Sequence, residues 1–196
     1  MTEQMGNRLI NYFLRFTPLT EGEIKALTDS MLIKEIKRGD YLLKEGQTNR
    51  DTFFILEGLV RQYRLTNGEE VTMNFFNEGQ WIISFTSFSD NPIADSYLIC
   101  EESTFVVVGN EEKAQEIFKY FPRLETTSRA VMETVFAEQQ KMLTSYLTET
   151  PEQRYLRILK ERPDIFQRVP QYQIASYIGV KPESLSRIRK RIASKH

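Results

Sequence analysis

The sequence is most constrained by a pair of short amphipathic helices predicted on either side of Gly179. Ile174 and Ile178 lie four residues apart before the glycine, and Leu185 and Ile188 lie three residues apart after it. Such spacing puts each pair on one face of a helix. Glycine readily adopts the positive φ that a sharp turn between two helices requires. The pattern therefore predicts two helices that meet at a tight turn and pack through these four side chains.

Three other residues fit the same geometry. Ala175 is small enough to let two helices approach closely, and Val180 fills the turn. Pro182 suits the first position of a helix, where its missing N–H would have had no partner. We interpret residues 171–190 as a helix-turn-helix, a motif whose second helix enters the DNA major groove. A generic helical hairpin has similar apolar spacing and remains the alternative.

The polar residues of this segment are suited to contacts with double-stranded DNA. Glu183 and Arg187 lie one turn apart near the start of the second helix, and arginine can bond bidentately to guanine while glutamate accepts from cytosine. The residues expected to read bases are Lys181, Glu183, Ser184, Ser186 and Arg187, and those expected at phosphates are Gln171, Tyr172, Arg189, Lys190 and Arg191. For the last three, a solvated basic terminus is the alternative.

The net charge of -1 conceals a separation of charge along the chain. Residues 1–150 carry 15 basic and 23 acidic side chains, a net charge of -8, whereas residues 151–196 carry 11 basic and 4 acidic side chains, a net charge of +7. A basic module behind an acidic body is typical of a protein that contacts a polyanion with one of its parts. A solvated basic tail is the alternative.

Residues 31–109 have the composition and spacing of β-strands. Their apolar runs are short, rich in Ile, Val, Phe and Tyr, and separated by glycines, and Asn67-Gly68 predicts a tight hairpin turn. Repeated turns of this kind are typical of an antiparallel barrel or sandwich, and we interpret the segment as a small β-barrel. The preceding residues are predicted to be helical, with Thr20 and Glu23 forming a capping box.

A short helix is predicted from Glu111 to about Phe121, and a long one from Arg123 to about Thr148. The long helix has two apolar stripes, Leu124, Val131, Val135 and Met142 along one and Met132, Phe136, Leu143 and Leu147 along the other. One stripe is enough to pack a helix on a single body, so the second favours a partner. We expect Leu124, Val131, Val135 and Met142 to face the same helix of a second subunit. Packing of both stripes within one chain is the alternative.

The chain is expected to have three parts. Thr150-Pro151 marks the last boundary, because the residue before a proline leaves the helical region. Residues 1–122 form the barrel with its flanking helices, residues 123–149 the long helix and hinge, and residues 150–196 the helix-turn-helix domain.

The rarity of cysteine and histidine excludes several kinds of site. Cys100 is the single cysteine, and the single histidine is the last residue, His196. Histidine-dependent triads, imidazole metal sites and thiolate-held clusters therefore have no residues to build them. The sequence also has no secretion signal, no apolar run near the ~20 residues that span a bilayer, and no Gly-rich phosphate loop. We expect a cytoplasmic protein that is not an enzyme and does not contact a membrane.

The whole chain resembles the Crp/Fnr superfamily of bacterial transcription regulators. In the barrel the resemblance rests on Arg38-Gly39-Asp40, Lys44-Glu45-Gly46, residues 54–60 and Gly79, and in the basic module on residues 174–191. It implies an α+β chain with an antiparallel, jelly-roll-type barrel similar to a cyclic-nucleotide-binding domain, a long dimerisation helix and a C-terminal winged helix-turn-helix. It also implies a homodimer that binds an inverted repeat in DNA and contacts RNA polymerase. A ligand-binding regulatory module that acts on a protein partner is the alternative.

The same resemblance places an effector pocket near Trp81, Ile83, Ser84, Phe85, Asp95 and Ser96. Relatives that bind a cyclic nucleotide use a Gly-Glu pair and an Arg-Ser pair, where this chain has Ile83-Ser84 and Ala94-Asp95-Ser96. Between Leu65 and Glu112 there are nine acidic residues and no lysine or arginine, so a buried phosphate would lack a cation. We expect no cyclic nucleotide, haem or iron–sulfur cluster. Trp81, Phe85 and Phe88 are interpreted as core, with an apolar ligand cavity as the alternative.

Overall fold

The computed structural model of the protein describes residues 2–83 and 93–194. The elements follow in the order α1 (Thr2–Leu14), α2 (Glu21–Ser30), β1 (Leu32–Ile36), β2 (Tyr41–Leu43), β3 (Asp51–Glu57), β4 (Val60–Thr66), β5 (Glu69–Phe76), β6 (Trp81–Ile82), β7 (Tyr97–Cys100), β8 (Thr104–Asn110), α3 (Glu111–Tyr120), α4 (Pro122–Thr148), α5 (Pro151–Glu161), α6 (Ile165–Arg168), α7 (Gln171–Tyr177) and α8 (Pro182–Ala193).

The described strands form two antiparallel four-stranded sheets. The first has the order β1-β8-β3-β6, and the second has the order β2-β7-β4-β5. Side chains alternate between the two faces of each strand, so Phe53 and Ile55 of β3 point between the sheets, where Val60, Leu98 and Val106 meet them in a closed core. The predicted antiparallel barrel and the α+β fold class are confirmed.

Two turns of the barrel show why glycine stands at their tips. Asn67 and Gly68 join β4 to β5 with φ of 53° and 81°, the positive values expected of a tight hairpin turn. Gly58, between β3 and β4, has a φ of 103°, and a Cβ there would lie 2.7 Å from the Cα of Thr104. A side chain at position 58 would therefore force β3 and β8 apart.

The N-terminal helices pack on the outer face of the first sheet. Leu9, Tyr12 and Phe13 of α1 form a buried cluster with Phe54 of β3 and Val131 of α4. The capping box at the start of α2 is present as predicted: the Glu23 N–H donates to Thr20 Oγ1, and the Thr20 N–H donates to the Glu23 carboxylate. The helical prediction for this region is confirmed.

The burial of side chains along the long helix α4 corrects the prediction of which apolar stripe faces a second subunit. Leu124, Val131 and Val135 are almost fully buried within the chain, and Met142 packs against the core of the C-terminal helices. These residues cannot face a second subunit, because the N-terminal helices and the C-terminal helices of the same chain cover them. The stripe exposed to solvent is the other one, in which Phe136, Leu143 and Leu147 are 51%, 54% and 79% exposed.

The C-terminal helices form the predicted helix-turn-helix. Gly179 has a φ of 77° between α7 and α8, and Ile174, Ile178, Leu185 and Ile188 are all buried in one core. The strands of a wing, implied by the resemblance, do not occur among residues 150–194, where the connections between helices are only a few residues long. No helix in the described part of the chain is both long enough and apolar enough to cross a membrane.

The barrel and the helix-turn-helix share part of their core. Leu59 and Phe75 of the barrel are fully buried in the same cluster as Ile165, Ile174 and Leu185 of the C-terminal helices. At the start of α5, the Thr150 hydroxyl accepts from the Gln153 N–H in a second capping box. The chain therefore changes direction at Thr150, as the Thr150-Pro151 pair predicts, while the segments on its two sides stay packed together.

Candidate nucleic-acid interface and effector pocket

The residues predicted to read bases lie on the solvent side of α8. Lys181 is the N-cap of the helix, and Glu183 follows in its first turn. Glu183 and Arg187 are exposed, and Arg187 Nη2 donates to Ser184 Oγ over 3.2 Å. Ser186 is also exposed. Leu185 and Ile188 anchor the opposite face of α8, so the apolar packing of the motif turns the five polar residues outward.

The residues predicted to contact phosphates fall into two groups. Arg189 Nη1 donates to Gln171 Oε1 over 2.5 Å, which brings α7 and α8 together at one end of the motif, and Tyr172 beside them is 58% exposed. Lys190 is exposed on α8. Arg191 differs, because its guanidinium pairs with Glu152 of α5 over 3.1 Å. The charge of Arg191 is thus partly offset within the chain.

The back of the motif is bound to the barrel by an arginine that the sequence analysis did not single out. Arg168 of α6 makes two hydrogen bonds to Glu78, of 3.0 and 2.9 Å, and two to Glu102, of 2.9 and 2.7 Å. Bidentate pairs of this kind are the stronger class of charge-assisted hydrogen bond. Burial alone would raise the pKa of Glu78, but hydrogen bonds from Arg168 and from the Gly58 N–H hold it below its ordinary value.

A second polar connection joins α7 to the barrel. Gln173 Nε2 donates to Glu101 Oε1 over 2.8 Å, and the same oxygen accepts from Arg61 Nε over 2.5 Å. Arg61 is only 4% exposed, and its other end pairs with Glu70 over 2.8 Å. Glu101 thus accepts from Arg61 of the barrel and from Gln173 of α7. Together with the pairs from Arg168 to Glu78 and Glu102, this contact joins the acidic barrel to the basic C-terminal helices.

The backbone of β5 also contacts α7 directly. The Thr72 N–H donates to Ser176 Oγ over 2.8 Å, and the Tyr177 ring packs edge-on against Phe75 with centroids 5.2 Å apart. The side of α7 that faces the barrel is therefore fully engaged. Among the described residues of the motif, α8 and the Gln171–Tyr172 end of α7 expose polar side chains to solvent.

Among the predicted effector residues that the structure describes, Trp81 and Ile83 lie together, apart from Asp95 and Ser96. Ser96 is buried between the sheets, where its hydroxyl accepts from Gln62 Nε2 over 2.9 Å. Trp81 lies on the opposite face of the first sheet, with its ring 5.1 Å from Phe54 and 6.4 Å from Phe13, and the neighbouring Ile83 is buried. Strand alternation explains the correction, since Ile82 points into the barrel and Trp81 points out of it. Ser84, Phe85 and Phe88 lie outside the described residues.

The charge argument about this pocket also needs correction. Asp95 is half exposed and pairs with Arg64 of β4. Arg64 stands one residue before the segment that the sequence analysis counted, and antiparallel pairing of β4 with β7 brings it beside Asp95. Arg64 thus supplies a cation close to the predicted pocket residue Asp95, but its charge is already paired with the Asp95 carboxylate.

Cys100 is placed as a core residue. It is 1% exposed between the sheets, and burial raises the pKa of its thiol to about 11. A thiol with that pKa holds almost no thiolate at neutral pH, and the thiolate is the reactive form. Within residues 2–83 and 93–194, no group of three or more histidine, cysteine or acidic side chains is arranged to hold a metal ion.

Comparison with known proteins gives a family match over the barrel and a likeness of fold over most of the chain. Residues 33–120 match the cyclic nucleotide-binding domain family. No curated protein matches the sequence.

Solved structures extend the likeness to both parts of the chain. A c-di-GMP-responsive global regulator of Xanthomonas campestris has 14% identity and a TM-score of 0.69, covering 90% of this chain and 93% of its own. A protein of Eubacterium rectale, assigned to the Crp/Fnr family of transcriptional regulators, has 17% identity and a TM-score of 0.65, with coverages of 94% and 88%. The catabolite activator protein of Thermus thermophilus has 17% identity and a TM-score of 0.54, with coverages of 92% and 86%.

Proposed function

Because residues 33–120 belong to the cyclic nucleotide-binding domain family and the chain has the fold of Crp/Fnr transcription regulators, we propose that the protein is a DNA-binding transcription regulator that acts as a homodimer. The observation that carries the proposal is the placement of α8. Its polar face, with Glu183 and Arg187, is open to solvent while the adjoining α7 is held against the barrel. A helix presented in this way can enter a major groove without displacing any part of the chain.

Dimerisation is supported by the exposed stripe of α4. Phe136 and Leu143 are seven residues apart, and Leu147 follows four residues later, which is the spacing of a two-helix seam. A monomer that left three large apolar side chains more than half exposed along one helix would carry an unfavourable surface. In a symmetric dimer the two copies of α8 would enter successive major grooves, with half-sites about 34 Å apart in an inverted repeat.

The barrel is proposed to act without a cyclic nucleotide. Arg64 of β4 pairs with Asp95, which already neutralises its charge. A phosphate entering there would have to displace a carboxylate that belongs to the same chain, and Asp95 would then repel it. A contact with RNA polymerase, implied by the resemblance, is part of the same proposal.

The proposal is tested by equilibrium binding of duplex DNA to α8 variants. Arg187→Ala should weaken binding to a specific site by about 1 to 3 kcal/mol and relax the preference at one base pair. Lys25→Ala is the matched control, because it removes the same charge from the exposed face of α2. Equal weakening by the two variants, or no binding to duplex DNA by the wild-type protein, would contradict the proposed role of α8.

A further inference from the structure

A cavity of about 290 Å³ lies outside the barrel, between the first sheet and the helices that cover it. Its walls come from α1, α2, α3 and α4 and from the outer face of β8, and its apolar lining includes Leu9, Phe13, Met31, Val107, Leu124 and Val131. The volume is at the lower end of the range for small-molecule pockets. The cavity is separated from the Gln62–Ser96 region by the thickness of the first sheet.

Trp81 lines one wall of the cavity. The indole Nε1 of Trp81, which lines the cavity, is buried and has no hydrogen-bond acceptor among the described residues. Buried donors in folded proteins are nearly always paired, because an unpaired one has lost its water without compensation. Because Nε1 has almost no accessible surface, a bound molecule would contact the Trp81 ring and not this atom.

The open end of the cavity is basic. Arg50 and Lys113 line it together with Glu111, and all three are exposed. Neither cation lies within ion-pair distance of an acidic side chain in the described part of the chain. The N-terminus of α3 adjoins Lys113, but Asn110 Oδ1 already accepts from its free N–H groups, and Glu111 and Glu112 stand in its first turn. The two cations of the lining, Arg50 and Lys113, are therefore the groups that can pair with an anion.

Gly109 of β8 lies between Trp81 and Thr52 on the first sheet. A Cβ at Gly109 would be 3.7 Å from Trp81 Cζ3 and 2.5 Å from Thr52 Oγ1. Gly109 is the register partner of Thr52, which stands two residues after Arg50. The missing side chain at position 109 thus leaves the indole room beside the strand end that leads to Arg50.

We propose that this cavity binds a small amphipathic carboxylate, either a medium-chain or an aromatic monocarboxylate. Its apolar part lies against Leu9, Phe13 and Val131 and against the Trp81 ring, and its carboxylate pairs with Arg50 and Lys113 at the rim. Because α4 forms one wall, the bound ligand stabilises the packing of α4 on the barrel. The inference does not depend on DNA binding.

The test uses Trp81 as the reporter, since it is the single tryptophan of the sequence. Octanoate and 3-phenylpropionate are titrated into the full-length protein without DNA, and the Trp81 emission is recorded. We expect a saturable change with at least one of them. The uncharged analogue octanol should bind octanoate's site about tenfold more weakly, because it cannot pair with Arg50. Absence of a saturable change with both acids overturns the proposal.

Variants locate the binding and test the rim. Ala114→Phe fills the cavity from α3 and Ser128→Leu fills it from α4, and each should abolish the change in emission. Ala137→Phe adds the same bulk at an exposed position of α4 and should leave it intact. Arg50→Gln should weaken octanoate about tenfold without changing octanol. The proposal would be overturned if Ala114→Phe and Ser128→Leu both bound octanoate as the wild type does. It would also be overturned if Arg50→Gln lowered the affinity for octanoate and for octanol equally.

Discussion

Arg168 of α6 holds Glu102 of the barrel in a bidentate pair, with 2.9 Å from Nε to Oε1 and 2.7 Å from Nη2 to Oε2. The same guanidinium holds Glu78 in a second bidentate pair. Both carboxylates belong to the acidic half of the chain, and the arginine belongs to the basic half. This side chain therefore joins the helix-turn-helix to the barrel, alongside the shared apolar core, and its removal should affect both.

Arg168→Gln is expected to lower the free energy of unfolding by about 1 to 3 kcal/mol. The loss of two bidentate pairs leaves Glu78 and Glu102 facing each other without a cation, while partial exposure of all three groups limits the effect. Urea unfolding at neutral pH measures it. Lys160→Gln, an exposed charge on α5, is the control and should change stability little. Equal stability of Arg168→Gln and the wild type would contradict the stabilising role of the two Arg168 pairs.

The pairing of Glu78 should also give the stability a dependence on pH. Hydrogen bonding to Arg168 and to Gly58 lowers the pKa of Glu78 in the folded state against the opposing effect of burial. Its stabilising contribution is therefore complete above the ordinary carboxyl pKa of about 4.3 and is lost as the pH falls through the lower folded value.

The measurement is the difference in unfolding free energy between the wild type and Glu78→Gln, taken from about pH 7 to about pH 3. The difference should shrink toward acid. In an Arg168→Gln background the same comparison should depend less on pH, because the main partner that lowers the pKa of Glu78 is gone. A difference that stays constant with pH in the wild-type background would contradict the assigned role of Arg168.

Leu143→Glu should dissociate the proposed dimer. It places a charge in the centre of the exposed stripe of α4, where a symmetric partner would bury it beside its own copy. Sedimentation velocity should then give a monomer at concentrations at which the wild type is a dimer. Ala137→Glu introduces the same charge on another exposed face of α4 and should remain dimeric. A Leu143→Glu protein that stays dimeric would place the interface elsewhere.

The sequence predicts local structure well because the signals are local. Gly179, with Ile174 and Ile178 on one side and Leu185 and Ile188 on the other, specifies the helix-turn-helix within twenty residues. The structure confirms the four apolar positions in the core and the positive φ of the glycine. The hairpin at Asn67-Gly68 was equally predictable, because two adjacent residues determine its backbone.

The predictions that were wrong concern which parts of the chain pack against each other. Periodicity identifies Val131 and Phe136 as apolar positions on α4, but it does not reveal that α1 covers Val131 and leaves Phe136 exposed. Arg64 and Asp95 are far apart in sequence and meet only because β4 pairs with β7. Trp81 could have been assigned to the outer face from strand alternation alone, since Ile82 is the position that points inward.

The most direct test of the account is selection of duplex DNA from a random pool by the purified protein without any added ligand. We predict recovery of an inverted repeat whose half-sites are one helical turn apart, with Arg187→Ala selecting a site degenerate at one base pair of each half. Recovery of no sequence by a protein that is folded and dimeric would contradict the claim that the exposed face of α8 reads DNA in this state.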